Sequence, residues 1–269
     1  MPDITQIAAV EVKSGASFNT YVVPKKPISL GAQQTTGIVY SGGIMTVHGS
    51  NVAPQPISLA LKSFTDWLQK FKNVVLMAHN GRKFDFPILV TAYDNCDLLT
   101  SLLESVRACV DSLSVMKKTF ADQSSYKQED LVKTVLGQSY NADDALADVR
   151  ALRSLFIACK LSSLKLMEHP FCAKAIYNNQ CFLRAKAQNM PTLLTLVANG
   201  VCKTTTAENI AGSGLTLAHL RLIFSRDGQD GLINVFRGQN CEGQPRVTNT
   251  KRVLDSIIPK LSEFFTKNM

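Results

Sequence analysis

Apolar positions along the first half of the chain change period several times, and each change marks an element. Residues 4–12 (ITQIAAVEV) and 18–23 (FNTYVV) are short, β-branched-rich runs separated by Lys13-Ser14-Gly15, a pattern that predicts a hairpin. From Pro27 to Leu61 there is no Asp, Glu, Lys or Arg, and Gly, Pro, Ser and Thr dominate; this predicts a long loop with short strand or turn pieces. Leu61, Phe64, Leu68 and Phe71 then recur at helical spacing, so 57–71 reads as an amphipathic helix. Val74-Val75-Leu76-Met77 is a compact apolar run of the kind that forms buried parallel strands. Asp85-Phe86-Pro87 fits a helix start, with Asp85 as N-cap and Pro87 in the first turn. Cys109-Val110 suggests a further strand entering Asp111, and 128–136 and 142–158 read as helices, the latter from the stripe Ala145, Val149, Leu152, Phe156. Two strands, a loop and then alternating helix and strand predict an α/β layer domain with a mixed sheet. After residue 160 the pattern is helical, broken at Asn199-Gly200, Gly212-Ser213-Gly214, Asp227-Gly228 and Asp230-Gly231. The expected organisation is an α/β domain over 1–159 and a mainly helical extension over 160–269.

Charge sharpens that division. Residues 1–159 carry 15 Lys and Arg against 14 Asp and Glu, whereas 160–269 carry 14 against 7. A balanced front and a basic back suit a polyanion-binding appendage on a neutral core, although a solvated basic surface is as common a reading. Apolar residues make up 45% of the 269 and charged residues 19%, which excludes a mainly disordered chain. No run approaches the ~18–20 apolar residues that a spanning helix needs. The start MPDITQIAAV lacks a basic segment followed by a long apolar one, so no secretory leader is expected. Seven scattered Cys without a C-x-x-C pair argue against a disulfide framework or a zinc knuckle, and for a reducing compartment, nucleus or cytoplasm.

Two carboxylates stand out. Asp148 lies three residues after Ala145 and four before Leu152, inside the stripe that should face the core. An acid there is desolvated unless a cation or several donors compensate it. The plain alternative is a buried Asp bonded to an Arg or to backbone N–H groups. Asp85 follows the buried-strand candidate within AHNGRKFD, where helix capping is an equally simple role. Two carboxylates from separate elements, meeting at the end of a parallel sheet, are what Mg²⁺ or Mn²⁺ needs. Such sites hydrolyse phosphodiesters by holding the attacking and departing oxygens. His79, in the same loop, could touch a phosphate or fix the loop by hydrogen bonding; the second role is preferred.

Together, ITQIAAV, FNTYVVPKKPIS with a later TTGI, AHNGRKFDFPIL and DALADVRAL resemble the DEDD 3′→5′ exonucleases, over about residues 3–158 and in that family's order. The resemblance implies a ribonuclease H-like fold, nucleic acid as substrate (DNA ahead of RNA) and two Mg²⁺ or Mn²⁺ ions. It implies Asp85 and Asp148 as metal ligands and catalytic acids, and Asn80 and Phe84 as shapers of the Asp85 loop. Thr36, Gly37 and Ile38, with His79, would lie near the terminal nucleotide. The family's first motif, an Asp-x-Glu pair on a central strand, would precede ITQIAAV; the sequence starts at Met1, and neither Asp3 nor Glu11 matches it. With that strand missing, residues 4–12 and 73–77 are expected to pair directly, or another segment to fill the space. Where one branch has a His five residues before the last Asp this chain has Asp143, and where the other has a Tyr four residues before it has Asp144. Asp143 could serve as a further ligand or a weak base, or else, like Asp144, suit the start of a helix capped by Asn141. Weak metal binding and impaired hydrolysis are expected. The alternative is an inactive module that binds nucleic acid, or a protein partner through the extension. SGLTLAHLRLIFSRDGQDGLINVF adds a narrower resemblance, to the exonuclease-like region of long promyelocytic leukaemia protein isoforms and free-standing relatives.

Overall fold

The computed structural model describes residues 3–161, 166–240 and 243–267. The chain divides into two compact units, Met1–Tyr177 and Asn178–Met269.

In the first unit, strands β1 (Gln6–Val10) and β2 (Ser17–Val22) form the expected antiparallel hairpin. Its turn is closed by Glu11, whose carboxylate accepts from the Ser14 hydroxyl at 2.7 Å. Hydrogen bonds from Ser14 hold the Glu11 carboxyl below its usual pKa, so this acid is committed to the turn. The uncharged stretch that follows is more ordered than a long loop. It holds helix α1 (Leu30–Thr36) and an antiparallel meander of β3 (Ile38–Ser41), β4 (Ile44–Val47) and β5 (Ser50–Val52). The reason lies in the two-residue loops: Gly42-Gly43 and His48-Gly49 all have positive φ, the backbone that tight hairpins require. A short β6 (Pro54–Gln55) then adds to β2 in parallel.

Helix α2 (Ile57–Leu68) buries Leu61, Phe64 and Leu68, the predicted stripe, while Phe71 lies just beyond its end. Strand β7 (Val74–Ala78) pairs in parallel with β8 (Val106–Asp111), and between them run α3 (Asp85–Asp94) and α4 (Leu99–Ser105). Helices α5 (Ser112–Thr119), α6 (Gln128–Leu136) and α7 (Ala145–Ala158) follow. β1 and β7 belong to different sheets, ordered β1-β2-β6 and β7-β8, so the direct pairing expected of 4–12 and 73–77 does not form. Helix α7 packs against β1 instead. Both strands still serve one core, in which Ile7, Val22, Phe64, Phe86, Val106 and Cys109 are buried together.

The two compact units divide after Tyr177. Phe171 bridges backbone to Cys109 on β8, and Ala173 and Ile176 complete the first unit's core. Both residues open helix α8 (Ala173–Ala198). The second unit continues with α9 (Thr204–Gly212), α10 (Leu217–Arg237) and α11 (Lys251–Lys267). Its core gathers Leu193, Leu196, Ile210, Leu220, Phe236 and Leu261. The architecture is thus mixed α/β followed by a helical region, as the sequence pattern predicts. The six described cysteines are free, and Cys241 lies outside the described residues.

One consequence is measurable. Because, among the described residues, β7 is paired only along the edge facing β8, hydrogen exchange should alternate along Val74–Ala78, slow amides alternating with markedly faster ones. Uniform protection along the strand would mean that its second edge is also paired.

Candidate metal and substrate site

The parallel pair β7–β8 ends at Ala78 opposite Asp111, and the Asp85 loop starts there. Asn80 adopts a left-handed φ of 58°, which Asn tolerates better than most residues, and its carbonyl accepts from Lys83 and Phe84 N–H groups at 3.1 and 3.3 Å. Gly81 is required by space: a Cβ there would lie 2.6 Å from that of Ala78 and 2.7 Å from the Phe86 ring. His79 uses both ring nitrogens internally. Nε2 meets the Tyr126 carbonyl at 2.7 Å and Nδ1 the Ser112 hydroxyl at 3.1 Å. Asp111, nearly buried, accepts from Arg82 N–H at 3.2 Å through one oxygen and from Leu113 N–H at 3.0 Å through the other. It thereby caps α5 and ties the loop to β8. The Arg82 guanidinium lies 4.2 Å from the centre of the Phe171 ring, which packs edge-on against Phe86.

Asp85 is the first residue of α3, whose N-cap is Phe84, so the expected capping role for Asp85 is not observed. Phe84 is half exposed, with the Lys83 ammonium 5.2 Å from its ring centre. Asp85 reaches solvent, yet crowding by surrounding protein raises its pKa above the usual carboxylate range. The negative charge of Asp111 adds to that rise, while the Asp85 backbone N–H and His79 oppose it.

Asp148 is held by a separate group of residues. Asp144, not Asn141, caps α7, accepting from Ala147 N–H at 2.8 Å. Gln6 on β1 braces that cap, its carbonyl accepting from Ala145 N–H at 3.2 Å and its amide reaching Asp144 at 3.4 Å. Asn141 accepts from Asp143 N–H at 3.4 Å. Asp148 is half-buried, and its partner is the Tyr140 hydroxyl rather than an Arg. Gln128 donates to that hydroxyl and to the Asp148 carbonyl, each at 2.9 Å. Burial raises the Asp148 pKa to about 6, Tyr140 opposes this, and the charges of Asp144, Glu129 and Asp143 add to it.

The carboxylate that bears on Asp85 is Asp111, and those that bear on Asp148 are Asp144, Glu129 and Asp143. Among the described residues no three His, Cys, Asp or Glu side chains form a group that could hold a metal ion. A two-ion centre needs several converging carboxylates, so this donor set does not make a complete one, although one or two carboxylates with waters can hold a single Mg²⁺. Thr36, Gly37 and Ile38 form the turn between α1 and β3. The Thr36 hydroxyl donates to Ala32 and accepts from Ile38 N–H, and the His48 ring lies 2.4 Å from where a Gly37 Cβ would be. Sequence reasoning missed Asp111, Tyr140, Gln128 and Gln6. Only Asp111 had a usable signal, an acid ending a short apolar strand.

The raised pKa of Asp148 has a defined sign. The protonated form is favoured in the folded chain, so this group's contribution is fully present below its unfolded pKa of 3.8 and lost as pH rises through about 6. In metal-free buffer, Asp148→Asn, which keeps an acceptor for Tyr140, should stabilise the chain at pH 7 by about 1–3 kcal/mol, and by close to nothing near pH 4. Urea unfolding at the two pH values checks this.

Comparison with known families agrees with the geometry. The family described as Exonuclease matches residues 2–156, more than half of the chain, and that described as PML, C-terminal domain matches residues 189–268. No curated protein matches the chain. Among the described residues no helix is long and apolar enough to cross a membrane. A mixed α/β unit with a strand-end carboxylate loop over the matched residues places the chain in the exonuclease family.

Proposed function

We propose that this chain is a nucleic-acid-binding member of the exonuclease family whose residues 1–269 hydrolyse phosphodiesters weakly or not at all on their own. The observation that supports this most directly is that, among the described residues, no three His, Cys, Asp or Glu side chains form a group that could hold a metal ion. Two-ion hydrolysis needs several converging carboxylates. On this reading Asp85 and Asp148 are the residual ligands for Mg²⁺ or Mn²⁺, with Asp143 as a third acid at the surface. Asn80 and Phe84 shape the first carboxylate's loop, His79 fixes it, and Thr36, Gly37 and Ile38 offer a turn to the terminal nucleotide. DNA is the preferred polymer, and the chain acts in the nucleus or cytoplasm. The match of 189–268 to the PML C-terminal domain supports a further role for the second unit in partner binding.

A labelled single-stranded DNA oligonucleotide tests the proposal, with Mg²⁺ or Mn²⁺ supplied at millimolar concentration. Binding that weakens steeply with salt, together with slow or undetectable shortening from the 3′ end, is expected. Asp85→Asn and Asp148→Asn should each cut any residual shortening by more than about tenfold while leaving binding intact. Rapid 3′ shortening abolished by either substitution would overturn the claim of impaired hydrolysis, and absence of binding would overturn the nucleic-acid reading.

A further inference from the structure

The second unit holds a short helix, a four-residue turn and a second helix in an arrangement with a known use. Helix α9 ends at Gly212, Ser213–Thr216 form the turn, and α10 starts at Leu217. Gly214 has a φ of 84° with nothing within 4 Å of an added Cβ, so its backbone conformation, not crowding, calls for glycine. On either side of the turn Ile210, Leu215 and Leu220 are buried in one core, with Ile223 packed against it. Thr216 and His219 form a capping box, each backbone N–H meeting the other's side chain at 3.2 Å. The Leu217 N–H reaches the Thr192 hydroxyl on α8 at 3.2 Å, and Asn189 on α8 donates to the Ala211 carbonyl at 3.1 Å. Three helices thus fix the turn in place.

The second helix of the pair is freed from the core on one side. At Gly228 the backbone leaves helical geometry (φ 59°, ψ −145°), which makes Leu217–Asp227 a separate rod. Its length, about 16 Å at 1.5 Å per residue, can cross a major groove about 12 Å wide. Leu220 seats the rod, while Ala218, Arg221, Leu222 and Ser225 form an exposed stripe at helical spacing. Leu222 is 67% exposed, and Arg221 has no protein partner among the described residues. Arg226 is engaged by Asp227. At the turn, Arg246 donates to the Ser213 carbonyl through Nε at 3.3 Å and Nη2 at 3.2 Å, which puts a second guanidinium at the turn itself.

We propose that α9 and the first part of α10 are a helix–turn–helix that seats Leu217–Asp227 in the major groove of duplex DNA. The stripe's chemistry fits base edges: Arg for guanine, Ser for either donor or acceptor, Leu and Ala for the thymine methyl. A single exposed Leu amid polar neighbours is too small an apolar patch for a protein partner. Residues 178–269 carry eleven Lys and Arg against six Asp and Glu, which complements phosphate. The geometry matches the DNA-binding motif in turn length, turn glycine and buried residues on both helices. The inference shares with the proposed function only the class of polymer, because it concerns a different unit and a duplex.

The test uses fluorescence anisotropy of the full chain with a mixed-sequence 20-base-pair duplex, as a probe, and with one of its strands alone. The chain should bind the duplex more tightly than the strand. Arg221→Ala should weaken duplex binding about tenfold and flatten the log–log salt dependence by about one, and Leu222→Glu should weaken it as strongly. Both positions are exposed, so thermal unfolding should not move. Preference for the single strand, absence of duplex binding at low salt, or wild-type affinity in both variants would overturn the proposal.

Discussion

Asp111 carries a disproportionate share of the first unit's organisation. It stands at the end of β8, where the parallel pair with β7 gives way to a loop on one side and a helix on the other. Such an end leaves backbone N–H groups with no strand or helix partner, and each unsatisfied buried donor costs about 1–3 kcal/mol. The two carboxylate oxygens of Asp111 answer two of these donors at once, from Arg82 in the Asp85 loop and Leu113 in α5. Nearby, His79 ties the same loop to Ser112 and Tyr126, and Gly81 lets the backbone pass Ala78 and Phe86. The position of Asp85 at the head of α3 follows from these contacts.

The same arrangement has an electrostatic consequence. Crowding by surrounding protein disfavours the ionisation of Asp85, and the charge of Asp111 adds to the effect. Asp148 experiences the equivalent pressure from Asp144, Glu129 and Asp143. Helix α7, which carries Asp148, takes its position from β1 through Gln6 and from α6 through Gln128. The loop that carries Asp85 takes its position from β8. Asp85 is therefore placed through the β7–β8 pair, and Asp148 through β1 and α6.

Much of this was legible in the sequence, and the exceptions share a cause. The hairpin and β7 follow from short β-branched and apolar runs, and α2 and the helix carrying Asp148 from helical spacing, which burial on one face enforces. The Asp85 and Asp148 motifs were readable because acids in apolar surroundings are rare. The meander over β3–β5 was not read as three strands because its pairing depends on Gly42-Gly43 and His48-Gly49, and the runs between those turns are too short to show a period. The attachment of Phe171 to the first unit has no local signature, because it pairs with a strand sixty residues earlier. Tyr140 and Gln6 were invisible for the same reason, since each acts on a residue that no helical or strand spacing connects to it.

The account depends on Asp85 and Asp148 being electrostatically independent within this chain. Carboxyl carbon NMR titration in metal-free buffer, of the unaltered chain and of Asp85→Asn, measures that directly. The Asp148 resonance should titrate with a midpoint near the raised value of about 6 in both proteins. A fall of about one unit or more in that midpoint when Asp85 is neutralised would show that the two acids titrate as a pair, and would contradict their assignment to separate groups.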